Sequence, residues 1–212
     1  MIQLFPNGAG TILETYQSSS NTQNFGGTSL AERQVVALAD GCKSTYSASY
    51  TAQSVGTSAT TAIAYLAGSA TKLVKLVQVT INATIATAGE EYDLTFQKES
   101  VLPTGGTKAT AATIVPWDSS DGAATATTAF YTATPTDGTV TGVFLVTKFS
   151  AFIATATTVQ PPTVPYVFTF GAAAGSKAMT LRGAGQGVVL TLNGATPSHT
   201  SSYDLTFVWT EE

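Results

Sequence analysis

Charge is what this chain has least of: only 10% of its 212 residues are Asp, Glu, Lys or Arg, where soluble domains carry about 25%. Its hydrophobic fraction is 43%, so the composition is not the weakly hydrophobic, highly charged one of a disordered chain. Such a surface is either covered by partners or kept wet by Thr, Ser, Asn and Gln. The nine Lys and Arg are scattered, none closer than Lys72 and Lys75 in a run, and the net charge is -4. Phosphate backbones and anionic membranes are bound by grouped cations, so neither nucleic acid nor a membrane is an expected partner. Cys42 is the only cysteine and His199 the only histidine. An intrachain disulfide and a Cys/His metal site are thereby excluded. No run approaches the ~18 apolar residues of a membrane-spanning helix. Residues 1–10 lack a cationic region and a long apolar one, so no secretory signal is expected.

What is present is alternation. Thr, Gly, Ser and Val recur with a period of two rather than 3.6 residues, which predicts strands and almost no helix. The clearest strand runs over 73–81, with Leu73, Lys75, Val77, Val79 and Ile81 on one face. Residues 92–97 follow it across a short Gly89-containing turn, and the pair reads as a hairpin. Further strands are expected at 125–132, at 139–153 with a bend or break near Lys148, and at 166–170, 178–182, 187–193 and 203–209. Gln34–Leu38 reads as another, and 54–61 as a polar loop. Eight to ten short strands at these intervals imply an all-β antiparallel β-sandwich, with a jelly roll as the expected form. The pentapeptide Tyr-Asp-Leu-Thr-Phe occurs twice, at 92–96 and 203–207. Its flanks do not repeat, so two core strands with the same solution is preferred over a duplicated unit.

The first third is patterned differently. Ile2, Leu4, Phe5, Ile12, Leu13, Tyr16 and Phe25 are separated by polar, Gly- and Ser-rich spacers. No period organises them into a core face, yet they are more anchors than a solvated tail needs. The division expected is an extended N-terminal arm over 1–33, ordering on a neighbouring protein, and a sandwich over 34–212.

No chemistry is legible. His199 lies in a turn-like Thr-Pro-Ser-His-Thr-Ser stretch, where a solvated histidine is the commoner outcome. Glu90, Glu91, Asp93, Glu99, Glu211 and Glu212 do not pair in the sequence as the two carboxylates of a glycosidase must in space. Turn and terminal carboxylates such as Glu211 are expected to face water. Asp118-Ser119-Ser120-Asp121-Gly122 resembles a calcium loop only loosely, because its second Asp is out of phase and no Glu closes it. It reads as a turn. Gly183-Ala184-Gly185-Gln186-Gly187 has no following Lys or helix, so it does not read as a phosphate loop. The chain is expected to be no enzyme and to need no cofactor. Trp209, in phase with Phe207 and Leu205, is expected in the core; Trp117, in a loop, is the candidate interface anchor.

Two stretches carry a resemblance: Val115 to Pro135, with Pro-Trp-Asp-Ser-Ser-Asp-Gly at its start, and Leu181 to Glu212, ending in Trp-Thr-Glu-Glu. Over roughly 72–212 the chain resembles small β-sandwich virion structural proteins of tailed bacteriophages. The resemblance implies a capsid decoration or cement protein that binds the major capsid protein and stabilises the shell. It also implies a homo-oligomer, a trimer by analogy, in a virion assembled in the host cytoplasm. A tail or head-fibre component and a carbohydrate-binding β-sandwich module are the alternatives.

Overall fold

The computed structural model describes residues 3–6, 12–15, 43–55, 62–85, 90–153, 165–171, 178–193 and 201–212. The chain divides into two compact units, residues 1–39 and 40–212. In the first, β1 (Gln3–Pro6) pairs antiparallel with β2 (Ile12–Thr15), from Gln3 opposite Thr15 to Pro6 opposite Ile12. Two strands thus form where the hydropathy pattern assigns none. The predicted strand at 34–38 lies outside the described residues.

The second unit is an antiparallel β-sandwich. Its strands are β3 (Ser44–Val55), β4 (Ala62–Ala67), β5 (Leu73–Ile85), β6 (Glu90–Val101), β7 (Thr107–Lys108), β8 (Ile114–Pro116), β9 (Thr128–Ala133), β10 (Thr139–Ile153), β11 (Tyr166–Thr169), β12 (Met179–Arg182), β13 (Gly187–Asn193) and β14 (Ser201–Glu211). One sheet runs β8-β3-β14-β5, and β12 and β11 follow one another along the outer edge of β5. The other runs β7-β9-β4-β13-β6-β10. They join where β10 leaves β6 and its last two residues pair in parallel with Thr84 and Ile85 of β5.

Each pentapeptide lies in an interior strand of its own sheet: β14 between β3 and β5, β6 between β13 and β10. Tyr92, Leu94 and Phe96 from one, and Tyr203, Leu205 and Phe207 from the other, are buried in a single core. The alternation of side chains across a strand puts all three apolar residues of each copy on the facing side. Aromatic rings fill the space between: Phe96 meets Phe168 at 4.9 Å, and Phe149 meets Tyr166 at 5.0 Å and Tyr203 at 6.2 Å.

Three expectations need correction. The hairpin between 73–81 and 92–97 does not form; β5 and β6 belong to different sheets, because each has an apolar face that packs across the sandwich. The single face expected for Leu73, Lys75, Val77, Val79 and Ile81 is broken. Trp209 lies opposite Leu76 and Val208 opposite Gln78, so Val77 is an extra residue, and the buried set changes phase from Val74 and Leu76 to Val79, Ile81 and Ala83. A bulge of this kind shifts the pleat by one residue. In β10 the register is unbroken across Lys148, which pairs with Asp93, and the irregularities fall earlier, between Thr139 and Leu145.

A second bulge, in β3, sets Tyr203 opposite Gln53 but Leu205 opposite Tyr50. Ala52, exposed, takes a φ of 52° there, and its N–H donates to Asp204 Oδ1 at 2.8 Å. A left-handed conformation costs an L-residue roughly 1–2 kcal/mol. Ala52→Gly should therefore leave the urea midpoint unchanged or higher, although glycine in a strand normally costs roughly 0.5–1 kcal/mol. A loss as large as that of Ala48→Gly, measured in parallel, would remove the strain argument.

Candidate interaction site

The segment after β8 projects from the margin of the first sheet, and its turn is spelled by residues that bond to their own backbone. Asp118 Oδ1 accepts from Ser120 N at 2.9 Å and Ser120 Oγ at 2.7 Å, and Asp121 N donates to Asp118 O at 3.0 Å. This is an Asx turn closed over a β-turn. The two Ser120 donors hold the Asp118 carboxyl below the usual range, main chain first and hydroxyl second. Asp118 Oδ1 serves the turn, in keeping with the expected turn at 118–122. Among the described residues no three His, Cys, Asp or Glu side chains gather as a metal site would require.

The turn is also fixed to the sheet beneath it. Trp117 N donates to Thr45 O at 2.8 Å, Ser44 Oγ to Asp121 Oδ1 at 2.8 Å, and Tyr46 OH to Gly122 O at 2.9 Å. The Tyr46 ring stacks on Trp209, which is wholly buried as its phase in β14 predicts. Trp117 itself is 66% exposed, and Val115, two residues back on the same side of β8, is half exposed. The structure thus presents an indole on a support with little freedom left to lose, the arrangement that makes an interface anchor effective.

The far end of the segment is held by Glu211, the residue that sequence reasoning misplaced. Its side chain is not solvated but buried, with 3% of the residue exposed. One carboxylate oxygen accepts from Ala126 N at 2.8 Å and Trp209 Nε1 at 3.2 Å; the other accepts from Thr125 Oγ1 at 2.7 Å, and Thr125 N reaches both. Lys72 Nζ stands 3.5 Å away. Burial by itself pushes the Glu211 pKa up, but the donors from Ala126, Thr125 and Trp209 outweigh it, and the net direction is down. Sequence position near a terminus concealed this. The usable signal was parity: Glu211 falls in phase with Leu205, Phe207 and Trp209, all core residues. Glu212, out of phase, instead forms ion pairs with Lys43 and Lys75.

Glu99 is a second buried carboxyl, on the outer face of the other sheet, 0% exposed. Gln97 Nε2 donates to its Oε1 at 2.7 Å, while Oε2 has no partner among the described residues. Gly138 packs against Oε2 so closely that a Cβ would collide with it and with Val101 O. Burial raises the Glu99 pKa, Gln97 opposes, Asp137 adds to it, and the net direction is up. Nearby, Lys108 Nζ donates to Tyr65 OH at 3.0 Å and lies 5.2 Å and 5.6 Å from the Tyr65 and Tyr131 ring centres.

Of the sequence-selected anchors, the structure places only Trp117 in full. Leu4, Phe5, Ile12 and Leu13 lie in β1 and β2 of the first unit, without described side chains. Ile2, Tyr16 and Phe25 lie outside the described residues, as does His199. No family model matches the chain, and searches of curated proteins and of solved structures find no match either.

The two carboxyls give opposite pH dependences. A depressed folded pKa contributes stability above the unfolded value that is lost as pH falls through the folded one. Glu211 therefore contributes to the acid limb, and Glu211→Gln should flatten it while lowering stability at neutral pH by about 2–4 kcal/mol, the range for charged hydrogen bonds left with mismatched partners. A raised folded pKa acts the other way, so stability from Glu99 is lost as pH rises through its elevated value, and Glu99→Gln should remove that loss. Urea titrations from pH 3 to 9 read both. Parallel pH profiles for wild type and variants would contradict the assignments.

Proposed function

We propose that the chain is a non-enzymatic structural protein that works docked on a larger assembly, as a capsid decoration protein binding the major capsid protein of a virion. The observation that carries this reading is the exposed Trp117 indole on a turn tied at both ends. A tryptophan 66% exposed on a turn tied by hydrogen bonds to the sheet beneath suits contact with a partner. The sparse charge agrees, because a surface covered by partners has less need of ionised groups than one kept soluble alone. The resemblance to tailed-phage virion proteins supplies the identity of the partner, and the anchors in 1–33 supply a second attachment. Several hundred Å² of apolar arm would contribute several kcal/mol at about 25 cal/mol per Å², before ordering costs.

Co-sedimentation with empty capsids tests this. The wild-type chain should pellet with shells and stay in solution without them. Trp117→Ala should weaken occupancy about tenfold or more, as loss of a hot-spot aromatic does, with an unchanged urea midpoint. Deletion of 1–31 should weaken it independently. A chain that ignores shells, or a Trp117→Ala variant with full occupancy, would refute the docking role of this turn.

The same exposed indole favours one rival, a carbohydrate-binding module in which a sugar ring stacks on Trp117. Glycan-array binding that disappears with Trp117→Ala would select it over the capsid reading.

A further inference from the structure

The cations of the described residues fall into distinct groups. Lys43, Lys72, Lys75 and Lys148 form ion pairs with Glu212, Glu211, Glu212, and Glu91 with Asp93, respectively. Lys108 is engaged by Tyr65 and the Tyr131 ring. The other two, Lys98 and Arg182, have no carboxylate partner among the described residues, and both line one groove of about 430 Å³. In a chain of net charge -4, two cations without a carboxylate partner among the described residues share a groove whose described lining holds no carboxylate.

The fold accounts for their place on the groove. Lys98 continues the row Tyr92, Leu94 and Phe96 on β6, so its side chain enters the space between the sheets near the margin. There Lys98 Nζ donates to Thr180 O of β12, in the opposite sheet, at 3.1 Å. A neutral carbonyl uses one of three ammonium protons and cancels none of the charge. Arg182, two residues along β12, is exposed; its main-chain N–H donates to Gln186 Oε1 at 2.9 Å, which fixes the backbone from which the guanidinium extends. Phe170 and Met179 give the groove an apolar wall. Its size is that of small-molecule sites, which pair an apolar lining with a few directed polar groups.

We infer that this groove binds a small amphipathic acid, with its carboxylate between Lys98 and Arg182 and its apolar body against Phe170 and Met179. A guanidinium matches a carboxylate through two parallel N–H donors, and the ammonium supplies a point charge beside it. An unsubstituted alkane would leave both cations unanswered, and a bare anion would leave the apolar wall wet.

Met1 and Met179 are the only methionines, so methyl-labelled methionine reports on the groove directly. Titration of the full chain with decanoate should give a saturable shift of the Met179 methyl at millimolar concentration or below. Decanol, lacking the charge, and acetate, lacking the apolar body, should each bind at least tenfold more weakly. Arg182→Gln, on an exposed side chain, should weaken decanoate at least fivefold; Lys98→Met, which keeps the apolar stem, should do the same. A Met179 methyl that does not respond, decanol binding as tightly as decanoate, or both variants binding like wild type would overturn the proposal.

Discussion

The core of the second unit rests on two interior strands, one in each sheet, that carry the same five residues. In each copy Tyr, Leu and Phe point inward, and each such side chain contributes about 1.5–3 kcal/mol on full burial. The two outward residues then do different local work. Asp93 meets Lys148 of the neighbouring β10 at 2.8 Å, while Asp204 takes the N–H of Ala52 at the β3 bulge. Thr206 pairs with Ser49 Oγ at 2.9 Å on the outer face of its sheet. The shared pentapeptide is thus a core solution on one side, while its outward residues serve different neighbours on the other. That explains why the flanking sequence does not repeat.

The central position of β14 also fixes the projecting turn. From Leu205 to Glu211 the inward residues are Leu205, Phe207, Trp209 and then a carboxylate. Where the apolar row ends, the last inward position faces main-chain N–H groups of 125–126 instead of hydrocarbon. A buried charge is tolerated only when its hydrogen bonds are supplied, and here the loop leading away from Trp117 supplies them. Core packing, through Tyr46 on Trp209, and this carboxylate together restrain both ends of the segment. The segment that carries the indole is thus tied to β3 at one end and to β14 at the other.

The fold class was legible because alternation survives in most strands, and the phases of Trp209 and the 203–207 row predict their burial. Two long gaps in the reading have physical causes. β3 is written in Ser, Thr, Ala and Tyr, where only Tyr46, Ala48 and Tyr50 mark the buried face, and those read as composition rather than period. β4 is buried on both faces, so it shows no alternation, and a six-residue apolar run does not distinguish strand from helix. The false β5–β6 hairpin followed from adjacency in sequence, since pairing is decided by which faces must be covered. Trp117 was legible as a loop aromatic, while Glu211, Lys98 and Arg182 were not. Their roles depend on parity and on contacts between distant strands, which composition does not encode.

The projecting turn and the cationic groove lie at opposite margins of one sheet, after β8 and along β12, with β3, β14 and β5 between them. Those three strands are hydrogen-bonded along most of their length and packed against the aromatic core, so any displacement at one margin must carry the paired strands with it and is costly. A partner seated on Trp117 would also leave β12 uncovered unless it wrapped the whole sheet. The two surfaces are therefore energetically separable: occupancy of the groove should not alter affinity at the turn beyond the weak, salt-screened effect of neutralising charge. Coupling between them would require β5 to move. The Val77 bulge is the one irregularity in the pairing of β5 with β14, where the ladder carries an extra residue.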